Sequence, residues 1–355
     1  MPLAGSRPTR AYLKSFILGF CFLLLPVSAS ADETLKHVVI LKTLTSPLLD
    51  KSAAWFQLEM SHLGHQEGVN VSYTILNAYG DFKRAKELLK TTMDRDPPDL
   101  VLTVATLATR AGRELLTGTK IPQVFMIVTD PVGEGFVGEL GKASKSNITG
   151  HSHVVPVESQ LALVAQILQT AKRDTPFRIG IPRSTYPSAI SQAAQLRAAA
   201  HQFPVLEFVD LGFPYIPGPE GRTRMTELAV ENVNAHKAAL DGLWMVAGPN
   251  QSNVDFVKNV IATGVPIVSG GNIQNASLGA MIVLQSTDEL NGKAAAEAAS
   301  AILSGINAGE IPVTRPSRFI AGVNIATATR LGAVIPSSIL ELAQENVFHR
   351  QGRGN

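Results

Sequence analysis

Residues 100–135 read LVLTVATLATRAGRELLTGTKIPQVFMIVTDPVGEG. Two apolar runs of strand length, 100–105 and 124–128, flank a segment in which Leu107, Ala111 and Leu115 recur at helical spacing, so the stretch is a β-α-β unit in outline. Small polar residues close each run: Thr106 after the first, Thr129-Asp130-Pro131 after the second. In an open parallel sheet, such strand ends are where side chains meet a ligand.

The same alternation extends both ways. Upstream, 37–41 (HVVIL) predicts a strand followed by a polar loop at 43–47, and 48–63 predicts a helix with Leu48, Ala54 and Leu58 on its apolar face and Gly64 at its end. Trp55, in that helix, is expected in the core. A second strand at 69–76 and a helix at 82–94 lead into the opening stretch. Downstream, strands are expected at 177–181, 206–211, 242–247, 266–269 and 280–284, and helices at 158–170, 188–201, 223–236, 253–263 and 288–303. The proline- and glycine-rich segment 213–221 breaks the period as a loop. The tail adds an extended run at 319–323 and a helix at 337–347, which periodicity alone assigns to neither half. Alternation on this scale predicts an α/β fold with parallel sheets. At 355 residues the chain exceeds the size at which one core stops growing, so two doubly wound lobes are expected.

The first 31 residues have the form of a secretory leader. Arg7, Arg10 and Lys14 precede an apolar run at 16–25 that is too short to span a bilayer comfortably, and Ala29-Ser30-Ala31 supplies a small-residue cleavage pattern. Cys21, the one cysteine, lies inside that run. Residues 32–355 therefore contain no thiol, which excludes disulfides and cysteine nucleophiles. Removing the three leader cations from 31 basic residues leaves 28 against 29 acids, a net charge of −1 in place of +2. No basic stripe of the kind that grips nucleic acid is present. An exported, periplasmic protein is expected.

Several segments together carry a resemblance: MIVTDPVGEGFV around Asp130, Asn147-Ile148-Thr149-Gly150, VPVESQLALV, GVNIATATRLGAVIP, and the early SPLLDKSAAWFQLEMSHLGHQEGVNV. In this order they resemble the substrate-binding proteins of the ABC-transporter family that includes tryptophan- and tyrosine-binding members, over most of residues 36–340. The resemblance implies a type I periplasmic binding protein fold, two lobes joined by three hinge segments near 151–155, 284–287 and 312–318. The lobes would comprise 32–152 with 285–312, and 153–284 with 313–347. It further implies a monomer without a cofactor that closes on a small polar ligand, an amino acid or related carboxylate, and is read by an ABC permease in the inner membrane.

The strand-end positions matching the family's pattern in the first lobe are Thr45, Ser46, Thr106 and Asp130. Thr106 begins a predicted helix, where a hydroxyl and backbone N–H groups suit an anion, or where it simply caps the helix. Asp130 either pairs with a ligand amine or caps the turn before Pro131. The second lobe departs from the family. Where many members have an acidic-asparagine-serine loop, this chain has Pro182-Arg183-Ser184-Thr185-Tyr186, and the family's later aspartate is absent around Gly248 and Asn250. An ordinary amino-acid ligand is thereby put in question. Arg183 offers a cation for a carboxylate or phosphate, with Ser184, Thr185, Asn250, Ser269 and Asn272 completing the expected set.

His151-Ser152-His153 places two imidazoles on one side of an extended segment, but two ligands are too few for a zinc site. No nucleophile elbow and no phosphate loop is present. A sensor subunit of the same fold and an exported enzyme are the competing functions; the sequence has no acid-base or nucleophile constellation to support the enzyme.

Overall fold

The computed structural model describes residues 35–349. The expected leader, with Cys21 and its cleavage site, lies outside the described residues. Two sheets organise the chain. The first has five parallel strands in the order β2-β1-β3-β4-β5: β1 (Lys36–Lys42), β2 (Val71–Asn77), β3 (Leu100–Val104), β4 (Gln123–Val128) and β5 (Ile148–Ser152). Between them run α1 (Pro47–His62), α2 (Phe82–Arg95) and α3 (Thr106–Leu116).

The second sheet has seven strands in the order β12-β11-β10-β9-β8-β6-β7. Its strands are β6 (Phe177–Ser184), β7 (Leu206–Phe213), β8 (Gly242–Met245), β9 (Ile267–Gly270), β10 (Ile282–Gln285), β11 (Ile320–Asn324) and β12 (Val347–Phe348). Helices α4 (Val157–Leu168), α5 (Pro187–Ala199), α6 (Gly218–His236), α7 (Val254–Ala262) and α8 (Ile273–Leu278) alternate with these strands. The tail adds α9 (Asp288–Leu303), α10 (Ile325–Arg330) and α11 (Ser337–Ala343). Among the described residues, the chain passes between the sheets three times, through 153–156, 286–287 and 315–319.

Two expectations about the tail need correction. The run at 319–323 is a strand, but β11 pairs antiparallel to β10, and the last helix stops at Ala343 to leave β12 parallel to β11. The apolar face of α1 also differs from the expected one. Ala54 and Leu58 are exposed, and Leu49, Ala53, Phe56 and Met60 form the buried stripe. Both stripes satisfy helical spacing, because α1 is apolar over a wide arc; the partner helix decides between them. That partner is α9, which returns from the second sheet to pack on α1 and the first sheet. Trp55 is half-buried, with the Lys293 ammonium over its ring at 5.8 Å.

The two helices approach closely at Gly292. A methyl group there would stand 2.5 Å from Trp55 Cβ, 2.7 Å from the Phe56 amide nitrogen and 2.7 Å from the Ser52 carbonyl. Backbone atoms cannot retreat as a side chain can, so Gly292→Val is expected to cost about 1–3 kcal/mol by overpacking. Urea unfolding should show a lowered midpoint with an unchanged slope.

Candidate functional site

Strand order locates the site. In the first sheet the order reverses between β1 and β3, and in the second between β6 and β8. Ligands of open α/β sheets bind beyond the carboxyl ends of strands at such reversals. Here the two reversals face each other across one seam. A cavity of about 50 Å³ is lined by Thr43, Ser46, Ala105 and Thr106 from the first, by Tyr186, Ser188, Gly248 and Pro249 from the second, and by Ile127, Thr129, Gln251 and His153 around them. The amino ends of α1, α3 and α5 all meet this cavity, so their dipoles give it a positive local field.

Two of its walls are strained. Ala105 has φ 73 and ψ 164, and Ile127 has φ 59 at the bulge between Met126 and Val128. For a β-branched residue a positive φ is a true outlier, and such strain, costing of order 1–3 kcal/mol, clusters at ligand sites.

A second chamber of about 40 Å³ adjoins the first and shares Leu48, His153, Gln251 and Ser252 with it. Its polar lining is amide-rich. Three glutamines there are anchored at one end to backbone: Gln160 Nε2 donates to the Val155 carbonyl at 2.6 Å, Gln285 Oε1 accepts from Ile273 N–H at 2.7 Å, and Gln192 Oε1 accepts from Ala247 N–H. Ser286 Oγ donates to the His153 carbonyl at 2.8 Å, tying the second passage between sheets to the first. Outward, the seam opens into a mouth of about 970 Å³ lined by Thr45, Tyr79, Tyr215 and the starts of α6 and α7.

The lobes touch through named groups. Tyr186 is buried against the first lobe, its phenol reaching Thr43 and the Leu107 backbone, and burial pushes its pKa upward. Tyr215 donates to the Gly80 carbonyl at 3.0 Å and meets Tyr186 edge to face, with centroids 5.0 Å apart. A side chain at Gly80 would collide with the Tyr215 hydroxyl. Ser191 Oγ donates to Asp130 Oδ2 at 2.5 Å.

Of the expected residues, Ser46 and Thr106 line the inner cavity, Asn272 lines the amide chamber and Thr45 lies at the mouth. Ser46 and Asn272 also cap helices, accepting from Leu49 and Gln274 N–H. The structure does not bring the others to the cavity. Strand β6 runs to Ser184, beyond the expected end at 181, so Arg183 lies within the sheet beside Gly212 and pairs with Asp210 at 2.6 Å. It is not a cation of the cleft. Ser184 and Thr185 accept from the amides of Tyr186 and Tyr215. Asp130 caps its own turn through Gly133 N–H at 2.8 Å besides bridging to Ser191. Asn250 is buried in the turn before α7, and Ser269 is buried within β9.

The shifted strand end moves the second-lobe contacts from 183–185 to 186–188. Pro187 at the first position of α5 is a helix-start signal that marks this boundary. Nothing in the sequence singles out the three glutamines, which come from distant segments.

His151 Nδ1 bonds Thr314 Oγ1 at 2.8 Å, and its Nε2 is buried without a partner. His153 lines both chambers, one ring nitrogen facing the Val128 carbonyl, and its Nδ1 also lacks a partner. Among the described residues no group of three or more histidine, cysteine or acidic side chains converges. Burial pushes both histidines down to about 4, against about 6.5 when unfolded. The unfolded chain therefore binds protons first on acidification. Stability is full above pH 6.5 and declines as pH falls toward 4, by up to about 1.4 kcal/mol per pH unit for each histidine. Urea midpoints at pH 7 and pH 5 should show this loss, and a His151→Gln, His153→Gln variant should flatten it.

A family model described as ABC transporter substrate binding protein matches residues 37–347. No functionally curated protein matches the chain. Among solved structures, an ABC domain in complex with L-Trp from Streptococcus pneumonia is similar at TM-score 0.73 and 20% identity, covering 89% of this chain and 100% of that one. A ligand-free, open substrate binding protein with adhesive properties from Clostridium difficile gives 0.62 and 20%, covering 90% and 100%. An ABC transporter solute binding protein from Agrobacterium vitis with bound allitol gives 0.58 and 12%, covering 82% and 96%. At these identities the likeness shows the fold, that of type I periplasmic binding proteins.

Proposed function

The chain belongs to the ABC transporter substrate-binding protein family, and from that premise we propose that it is the periplasmic receptor of an importer, capturing a small polar ligand between its lobes. It is a solute-binding protein and not an enzyme. The observation that carries this reading is the meeting of two strand-order reversals across one seam, spanned, among the described residues, by three passages of chain.

Three slender connections let the lobes part as rigid bodies, and ligand entry requires it. A cavity of about 50 Å³ has room for only a few water-sized groups, since a water needs on the order of 10–15 Å³ by this measure. Ligand binding must favour the closed arrangement for a permease to distinguish loaded from empty receptor. Tyr186, Tyr215 and Ser191 form the contacts that exist only when the lobes meet. The receptor acts as a monomer in this reading, each copy delivering one ligand to an inner-membrane permease.

A thermal-shift screen of residues 32–355 against amino acids, 2-hydroxy acids, sugars, polyols and amides tests the reading. A ligand at a hundred times its Kd adds about 2.7 kcal/mol, which for a chain of this size raises Tm by roughly 4 °C. At least one compound should do so saturably. A protein that no small molecule in a broad screen stabilises is not a solute receptor.

A further inference from the structure

The chemistry of the cleft restricts what it accepts. Among the described residues, neither chamber is lined by an aspartate, glutamate, lysine or arginine. The lining presents hydroxyls, amides and one neutral imidazole, His153: with a ring N–H on the Val128 carbonyl, its partnerless Nδ1 keeps a lone pair as an acceptor. The glutamine anchors fix polarity as well. Gln192 and Gln285 accept backbone N–H through Oε1, which leaves each NH2 as a donor. Gln160 donates through Nε2, which leaves its oxygen as an acceptor. The chamber thus mixes fixed donors and acceptors without a counter-charge.

An ammonium placed here would lose its hydration without gaining an anion, and burying an unpaired charge is costly. The amino ends of α1, α3 and α5 add a field of the wrong sign for a cation. Resting on the receptor reading above, we propose that the ligand carries no cationic group: it is a hydroxyl- or amide-bearing small molecule, neutral or singly anionic, selected against amino acids by Gln160, Gln192, Gln285 and His153.

The experiment is isothermal titration of residues 32–355 with matched pairs, an amino acid and the 2-hydroxy acid with the same side chain, alongside sugars, polyols and primary amides. The expected result is saturable binding confined to compounds without an ammonium, each at least tenfold tighter than its amino counterpart. Gln285→Glu keeps the acceptor for Ile273 N–H and replaces the donor with an acid. It should lower affinity for the ammonium-free ligand at least tenfold and raise affinity for the amino counterpart, with Tm monitored to establish folding. An amino acid bound as tightly as its hydroxy analogue, and weakened in Gln285→Glu, would overturn the selectivity and leave the receptor reading standing. Binding of none of these probes would overturn both.

Discussion

Parallel pairing is the constraint from which the rest follows. When neighbouring strands run the same way, all their carboxyl ends, and the amino ends of the helices that follow, gather on one edge of the sheet. This chain builds two such edges and leaves or enters each sheet at that edge, from Ser152, from Gln285 and into Ile320. The edges therefore face one another. Antiparallel β11 is part of this geometry, because only a strand that starts at the shared edge can accept the third passage directly. Backbone strain at Ala105 and Ile127 falls on residues that line the inner cavity.

Within that seam, electrostatics and packing divide the work. Tyr186 and Tyr215 bring large apolar area and one hydroxyl each to the opposing lobe, and the bare backbone at Gly80 leaves room for the second. The charged groups are displaced to the periphery, where Arg183 and Arg197 share Asp210 and Asp130 bridges to Ser191. What lines the two chambers is neutral, including His153, whose pKa burial pushes down to about 4. Recognition then depends on hydrogen-bond polarity, and a buried donor or acceptor left unmatched costs about 1–3 kcal/mol.

Much of the fold was legible in the sequence because all-apolar runs such as 100–104 and 124–128 leave little choice but a doubly covered parallel strand. The site was less legible. Ser46, Thr106 and Asn272, which line the two chambers, stood out because strand ends followed by cap residues have a local signature. Arg183 misled because the end of β6 was placed by hydrophobicity, whereas Pro187 sets it. The face of α1 depended on Gly292, more than two hundred residues away. Gln160, Gln192 and Gln285 meet only through strand order and three passages, neither of which periodicity encodes.

The most direct test of lobe closure is a distance measured across the mouth. Residues 32–355 lack cysteine, so Lys83→Cys on α2 and Glu227→Cys on α6, both exposed, take two unique spin labels. Pulsed dipolar spectroscopy should show a broad or long distance distribution without ligand. Saturation with the tightest compound from the screen should collapse it to a single short distance. A distribution that stays the same while the compound demonstrably binds would contradict capture by closure.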